Sequence, residues 1–363
     1  MPLTTVQLGM QGTPQFYGFK NRVINGAMLI SQSAAGVSAN LTGGGVYSVD
    51  RFFGQTFGSI TVVSQQLTDT PPTGFTNYLR FFTSVANTDN THVVNLTQRI
   101  EGFNVSDIFS ANGTTSTLSF WVYTSVPGTY CVTASTGFRG GASYAVAFIP
   151  LSFTVTAANT WQRVSMTIPA YPGGGAAWNS TNGIGIELTF NVAVGSAVVG
   201  VRSDPIGTWV NLPSSTGYFN GSTLANNTTW GKAVGNVFFI TGVQLEVGVT
   251  ATSFDYRPYG TELALCQRYA FTTSGEYAGQ SFATTQAGIP IPFPVVMRAV
   301  PTGSLITNGN LVAAAGASLA VTGTAAFVGN LTTARFNFTV ASGLVIGDAT
   351  FILGSSILCS AEL

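Results

Sequence analysis

Ser59-Ile60-Thr61-Val62-Val63-Ser64-Gln65-Gln66 sets β-branched residues at its centre with hydroxyls and amides around them, the composition of a strand. The pattern recurs along the chain. Arg22–Ile30, Asn77–Thr83, Val93–Glu101, Ser116–Thr124, Tyr144–Val155, Trp161–Ile168, Gly185–Val194 and Asn236–Val247 are runs of 7–12 residues rich in Val, Ile, Phe, Tyr and Thr. Gly, Asn, Ser or Pro bounds each run, and sustained helical periodicity is nearly absent. The stretch Asn21–Tyr256 therefore reads as one large β-sandwich, within the size an all-β domain reaches.

One helix interrupts the strands. Thr261-Glu262-Leu263-Ala264-Leu265-Cys266-Gln267-Arg268-Tyr269 lacks Gly and Pro, with Thr261 placed to cap it, Glu262 in its first turn and Arg268 in its last. Leu263, Cys266 and Tyr269 share one apolar face. A helix of roughly two and a half turns is too short to stand alone in water. Its apolar face must rest on its own sheet or on two symmetry mates, which makes these three residues the oligomer-interface candidates.

Beyond it the chain returns to strands at Asn310–Val321, Ala334–Val340 and Ala349–Leu358. Ile289-Pro290-Ile291-Pro292-Phe293-Pro294 is expected at an edge or crossover, because its prolines remove ladder donors. The expected organisation is an N-terminal anchoring arm (1–20), a sandwich (21–258), a connecting helix (259–269) and a smaller C-terminal β-sandwich lobe (270–363).

Composition narrows the function. Of 363 residues only 13 are Lys or Arg and 13 Asp or Glu, so 7% of the chain is charged and the net charge is zero, against about 25% charged in an average protein. Duplex-DNA binding, which needs excess positive charge, is not expected. No apolar run approaches the ~20 residues of a membrane span. Near-zero charge favours self-association. The 11 arginines against 2 lysines suit buried interfaces. After Ala299 the only charged residues are Arg335, Asp348 and Glu362, as expected of one lobe of an oligomer. Cys131, Cys266 and Cys359 are too few and too scattered for a disulfide framework or a zinc site, and fit assembly in a reducing cytoplasm.

Several blocks together resemble a known family. They are Asn21-Arg22-Val23-Ile24-Asn25-Gly26-Ala27-Met28, Tyr47-Ser48-Val49-Asp50-Arg51-Phe52, Gln98-Arg99-Ile100-Glu101-Gly102 and Leu118-Ser119-Phe120-Trp121-Val122. Thr160–Pro169, Phe239-Ile240-Thr241-Gly242-Val243-Gln244-Leu245-Glu246-Val247-Gly248 and Phe254–Tyr269 complete the series, the last two being the most specific. The series resembles the tail-fibre and appendage proteins of tailed bacteriophages, whose central part is similar to the jelly-roll carbohydrate-binding modules of the CenC type. Val295–Thr302 resembles the C-terminal domain that often follows in them. The resemblance implies an all-β, jelly-roll, homotrimeric virion appendage, assembled in the host cytoplasm. Its arm docks on a tail, baseplate or capsid protein, and its distal part contacts a glycan of the host envelope. It also implies a structural calcium near the first and last strands, for which Asn25, Asp50 and Glu246 are the matching positions.

Catalytic materials are scarce. His92 is the one histidine, read as a plain loop residue, and no Gly-x-Ser-x-Gly elbow accompanies it. Glycoside hydrolysis, the enzymatic alternative, needs two carboxylates about 5–10 Å apart. Asp50, Glu101, Glu187, Glu246 and Asp255 are expected to pair with Arg51, Arg99 or Arg257, leaving Asp204 the freest carboxylate. A capsid decoration without a receptor is the other alternative. Sugar binding needs aromatic faces beside amides. Tyr171, Trp178, Trp209, Tyr218 and Trp230 lie among asparagines in 170–232 and are the glycan-binding candidates. Packing beneath their own loops or at a subunit interface suits the same residues, while Trp121 and Trp161 are read as core.

Overall fold

The computed structural model describes residues 19–110, 113–136, 146–173, 179–195, 197, 205–212, 227–314 and 316–363. It is built almost wholly of antiparallel strands. In chain order the first part holds β1 (Ala39–Thr42), β2 (Gly45–Val49), β3 (Phe52–Phe57), β4 (Thr61–Leu67), β5 (Tyr78–Val85) and β6 (Val93–Glu101). It continues with β7 (Ser116–Thr124), β8 (Gly128–Ser135), β9 (Val146–Val155), β10 (Gln162–Ile168), β11 (Ile184–Val194), β12 (Val210–Leu212) and β13 (Val237–Val247). These form two sheets packed face to face, a jelly-roll sandwich. The front sheet runs β1-β4-β5-β13-β7-β10 and the back sheet β12-β9-β8-β11-β6-β3-β2.

Alternation along each strand makes the core. On β7, Leu118, Phe120 and Val122 point inward and are fully buried. Phe120 meets Phe153 and Phe190 edge to face, each at 5.1 Å between ring centres. The opposite parity of β7 places Trp121 and Tyr123 on the outer face, where both are half-buried. Trp161 is half-buried as well, so neither tryptophan read as core belongs to it.

Arg22–Ile30, expected as a strand, is a run of turns. Asn25 and Met28 take positive φ of 60° and 56° there. The Asn25 side chain accepts from Ile30 N–H and donates to the Ile30 and Asp50 carbonyls, replacing ladder bonds with local ones.

Helix α1 spans Tyr259–Gln267 and starts behind Pro258, so Thr261 lies inside its first turn and does not cap it. The lobe that follows holds β14 (Ala270–Thr273), β15 (Tyr277–Ala283), β16 (Gln286–Pro292), β17 (Thr302–Thr307) and β18 (Asn310–Ala313). It ends with β19 (Ser318–Gly329), β20 (Thr333–Val340), β21 (Ala349–Leu353) and β22 (Ser356–Ser360). The expected two open layers are instead a small closed barrel, β15-β16-β20-β19-β18-β21, beside a sheet β14-β22-β17. Closure gives each barrel strand a neighbour on both sides over at least part of its length.

The proline-rich strand β16 sits inside this barrel. Its pairing with β15 ends at Gly288, whereas β20 follows it to Pro292. Pro290 and Pro292 thus occupy a stretch bonded on one side only, which tolerates their missing N–H groups.

Candidate functional site

The most distinctive surface lies on the outer face of the front sheet. Trp121 on β7 pairs with Arg163 on β10 and with Thr241 on β13, so the three residues form one row. Just past Thr241 the β13 register shifts before Gln244. Gly242 lies in this bulge at φ +63°, and a Cβ there would fall 2.6 Å from the Phe75 ring and 3.0 Å from Trp121. The bare glycine is what lets those two rings close on one point.

A loop then folds back across the outer face. Gln244 and Glu246, both buried and both on that face, hold it. Gln244 accepts from Asp255 N–H at 2.8 Å and donates to the Ser253 carbonyl at 3.2 Å. Glu246 accepts from Thr252 N–H at 2.8 Å and from the Thr252 hydroxyl at 2.7 Å. Lys20 donates to the Ser253 carbonyl at 2.8 Å and lies 4.0 Å from Glu246. So fastened, the loop presents Phe254 and Tyr256 to Phe75, with ring centres 5.1 Å apart for Phe75–Phe254 and 4.8 Å for Phe254–Tyr256. The Tyr256 hydroxyl is tied to the Gly74 carbonyl at 2.5 Å.

The result is an open cleft of about 240 Å³ lined by Trp121, Phe75, Phe254 and Tyr256, with Arg163, Ser119 and Ser253 as its polar groups. It is smaller than the ~300–1,000 Å³ typical of whole small-molecule sites, a size suited to one ring of a longer ligand. Arg163 is exposed, and its guanidinium donates to the Thr252 carbonyl at 2.5 Å. Among the described residues no carboxylate lines the cleft.

The aromatic surface continues beyond the cleft. Tyr123 stacks on Phe239 at 4.6 Å with planes 5° apart, Tyr78 lies 4.8 Å from Phe239, and Trp161 covers Tyr78 at 5.6 Å. The Trp161 indole N–H donates to the Thr70 carbonyl at 2.8 Å. Burial, with a hydrogen bond to Asp69, pushes the Tyr78 hydroxyl up to about 12, so it stays protonated and donates.

The residues expected from sequence to bind sugar lie elsewhere. Trp230 is fully buried in the sandwich core, and its indole N–H donates to the Val237 carbonyl at 3.1 Å. Tyr171 is buried, its hydroxyl bonded to Asn211. Trp209 packs edge-on against it at 5.2 Å and donates to the Pro169 carbonyl. These three rings serve packing, as large apolar bodies whose single polar tip is satisfied inside. Trp178, Tyr218 and Asp204 lie outside the described residues.

Leu263, Cys266 and Tyr269 do not face away from the chain. Cys266 and Tyr269 are fully buried against Ile24 and Ile30, with Leu263 packed beside them, so the chain itself covers the apolar face of α1. Burial raises the Cys266 thiol well above its usual range, and all three cysteines are buried free thiols.

The calcium positions form no oxygen cage. Asn25 turns its amide nitrogen, not its oxygen, toward the Asp50 carbonyl, and Asp50 accepts from Gln32 backbone and side-chain N–H groups at 2.8 and 2.5 Å. Glu246 is taken up by Thr252 and Gln244. Among the described residues no cluster of three or more His, Cys, Asp or Glu could hold a metal ion. These side chains therefore do not fit the calcium role that the resemblance implies.

His92, read as a loop surface residue, is fully buried. Its Nδ1 lies 3.4 Å from the Asn87 amide oxygen, and Nε2 has no hydrogen-bond partner among the described residues. Of the expected carboxylate pairings, Glu187 meets Arg99 at 2.9 Å. Glu101 pairs with Arg268, Arg257 with Glu262, and Arg51 with Glu362. Nothing in the sequence signals the last, because 311 residues separate the partners.

No protein-family model and no curated protein matches the chain. Solved structures resemble it over part of its length. An enzymatically active domain of tailspike protein 4 of bacteriophage CBA120 is 16% identical over 63% of this chain, with a TM-score of 0.33. The chain spans 22% of that tailspike chain. A family 11 carbohydrate-binding module of a Clostridium thermocellum cellulosomal cellulase is 11% identical over 59% of this chain and 97% of its own, at a TM-score of 0.31. A CBM4 structure is 12% identical over 62% of this chain and 99% of its own, at 0.29. No helix among the described residues is long and apolar enough to cross a membrane.

Proposed function

We propose that this protein is a structural appendage of a tailed-phage particle that binds a host-surface glycan in the front-sheet cleft. The observation that carries the binding role is the Trp121–Arg163 row under the Phe75, Phe254 and Tyr256 rings. Ring faces suit the C–H faces of a sugar, and a guanidinium with two serine hydroxyls suits its oxygen edges. The appendage role is supported by the phage-like sequence blocks. The two most specific, Phe239–Gly248 and Phe254–Tyr269, supply Gly242, Phe254 and Tyr256 of the cleft. In this reading the chain is a homotrimer, residues 1–20 dock on a tail, baseplate or capsid protein, and no glycan is cleaved.

The test is a glycan array probed with the full chain, followed by incubation with the bound polysaccharide. The expected result is capture that Trp121→Ala abolishes, with no shortening of the polysaccharide and a trimer mass in native mass spectrometry. A monomer, or chain shortening, contradicts the reading.

A further inference from the structure

Nine arginines lie among the described residues, and five of them, Arg22, Arg51, Arg99, Arg257 and Arg268, meet a carboxylate. Arg163 pairs with none among the described residues, and it lies in the cleft beside Trp121. The carboxylates nearest in sequence to the cleft wall are already engaged. Glu246 is held by Thr252, Gln244 and Lys20, and Asp255 accepts the Asn21 N–H at 3.0 Å.

A guanidinium has five N–H donors, and the Thr252 carbonyl takes one of them in Arg163. Because Glu246 fixes Thr252 through both its backbone N–H and its hydroxyl, that bond also sets where the guanidinium sits. The cleft therefore presents one positioned positive charge that meets no carboxylate among the described residues, next to an aromatic floor, in a chain where charge is rare.

We propose that the cleft selects an acidic sugar, holding a carboxylate or phosphate oxygen on Arg163 while a sugar ring rests on Trp121. This deepens the glycan-binding reading and rests on it. A charge-assisted hydrogen bond is worth about 1.5–3 kcal/mol, roughly a tenfold or larger factor in affinity. Glu246 acts as a positioning residue that holds Thr252, and through it Arg163.

The experiment is a glycan array of matched acidic and neutral glycans probed with the full chain. Affinities for the strongest ligand are then measured intact, after carboxyl reduction, and after dephosphorylation. The expected result is an acidic ligand that loses roughly tenfold or more in affinity on one of these two treatments. That treatment identifies the anionic group. Arg163→Ala is expected to weaken the acidic ligand roughly tenfold more than its neutralised form. Affinity for the acidic form should also fall between ~0.05 and ~0.5 M salt. Neutral ligands only, or equal weakening of both forms by Arg163→Ala, overturn the selectivity and leave the cleft standing. Absence of any bound glycan, or binding untouched by Trp121→Ala, overturns the cleft itself.

Discussion

The guanidinium of Arg51 lies over the ring of Tyr269, its carbon 3.5 Å from the ring centre. Arg51 is buried, at a positive φ of 72°, and its two terminal nitrogens donate to the Glu362 carboxylate and the Arg99 carbonyl. Around this contact Arg268 grips Glu101, and Arg298 donates to the Asn182, Ala361 and Glu362 carbonyls. Sandwich, helix and barrel lobe are thus joined through arginines that bridge one part to the next. The joint also shows why so short a helix is stable here: Tyr269 and Cys266 are sealed inside a single chain.

Removing Glu362 leaves Arg51 buried and unpaired. Glu362→Ala is expected to lower stability by about 3–5 kcal/mol, the usual cost of breaking a buried pair from one side. Urea unfolding should show this loss and a separation of lobe from sandwich unfolding. A shift under about 0.5 kcal/mol, typical of a neutral surface change, contradicts the joint.

Two tryptophans should separate packing from binding. Trp230→Ala empties a fully buried core position and is expected to cost about 3–5 kcal/mol. The folded variant should still bind glycan. Trp121→Ala, on the half-buried outer face, should leave the melting temperature nearly unchanged and abolish binding. Calorimetry and array binding on both variants check the pair.

Gly242→Ala tests the bulge. A methyl group at φ +63° would meet Phe75 at 2.6 Å. Alanine at positive φ destabilises by about 1 kcal/mol or more. Thermal unfolding should show that loss, and titration should show weakened glycan binding as the Phe75 wall is displaced.

His92 gives the fold a dependence on acidity. Burial, followed by the nearby Lys232, lowers its pKa below the ordinary 6.5, while Asp89 opposes them. The unfolded chain then binds the proton more readily than the folded one, so the His92 contribution to stability is intact above about 6.5 and declines as pH falls below it. Melting curves between about pH 7.5 and 5 should show this decline, and His92→Gln should flatten it.

The strands were legible where long apolar runs carry them: Val93–Glu101 and Ser116–Thr124 match their expected limits. Short or small-residue strands such as β1 and β8 (Gly128-Thr-Tyr-Cys-Val-Thr-Ala-Ser) gave too weak a signal. The site was legible least. Trp121 sits in the continuous hydrophobic run Phe120-Trp121-Val122-Tyr123, and only Thr117 and Ser119 on its own parity mark that face as outward. Composition favoured the Asn- and Trp-rich insertion around Trp209 and Trp230, yet Trp230 fills the interior and Trp209 packs half-buried against it. Glu246 was expected to hold calcium or pair with an arginine, but its partners are Thr252 and Gln244, residues that only the fold brings onto its oxygens.

The most direct measurement is a crystal structure of the full chain with its best-binding oligosaccharide. A sugar ring against Trp121, beside the Phe75 and Tyr256 rings, is the expected result. A sugar held on the back sheet, in the barrel lobe or beside Trp178 or Tyr218 contradicts it.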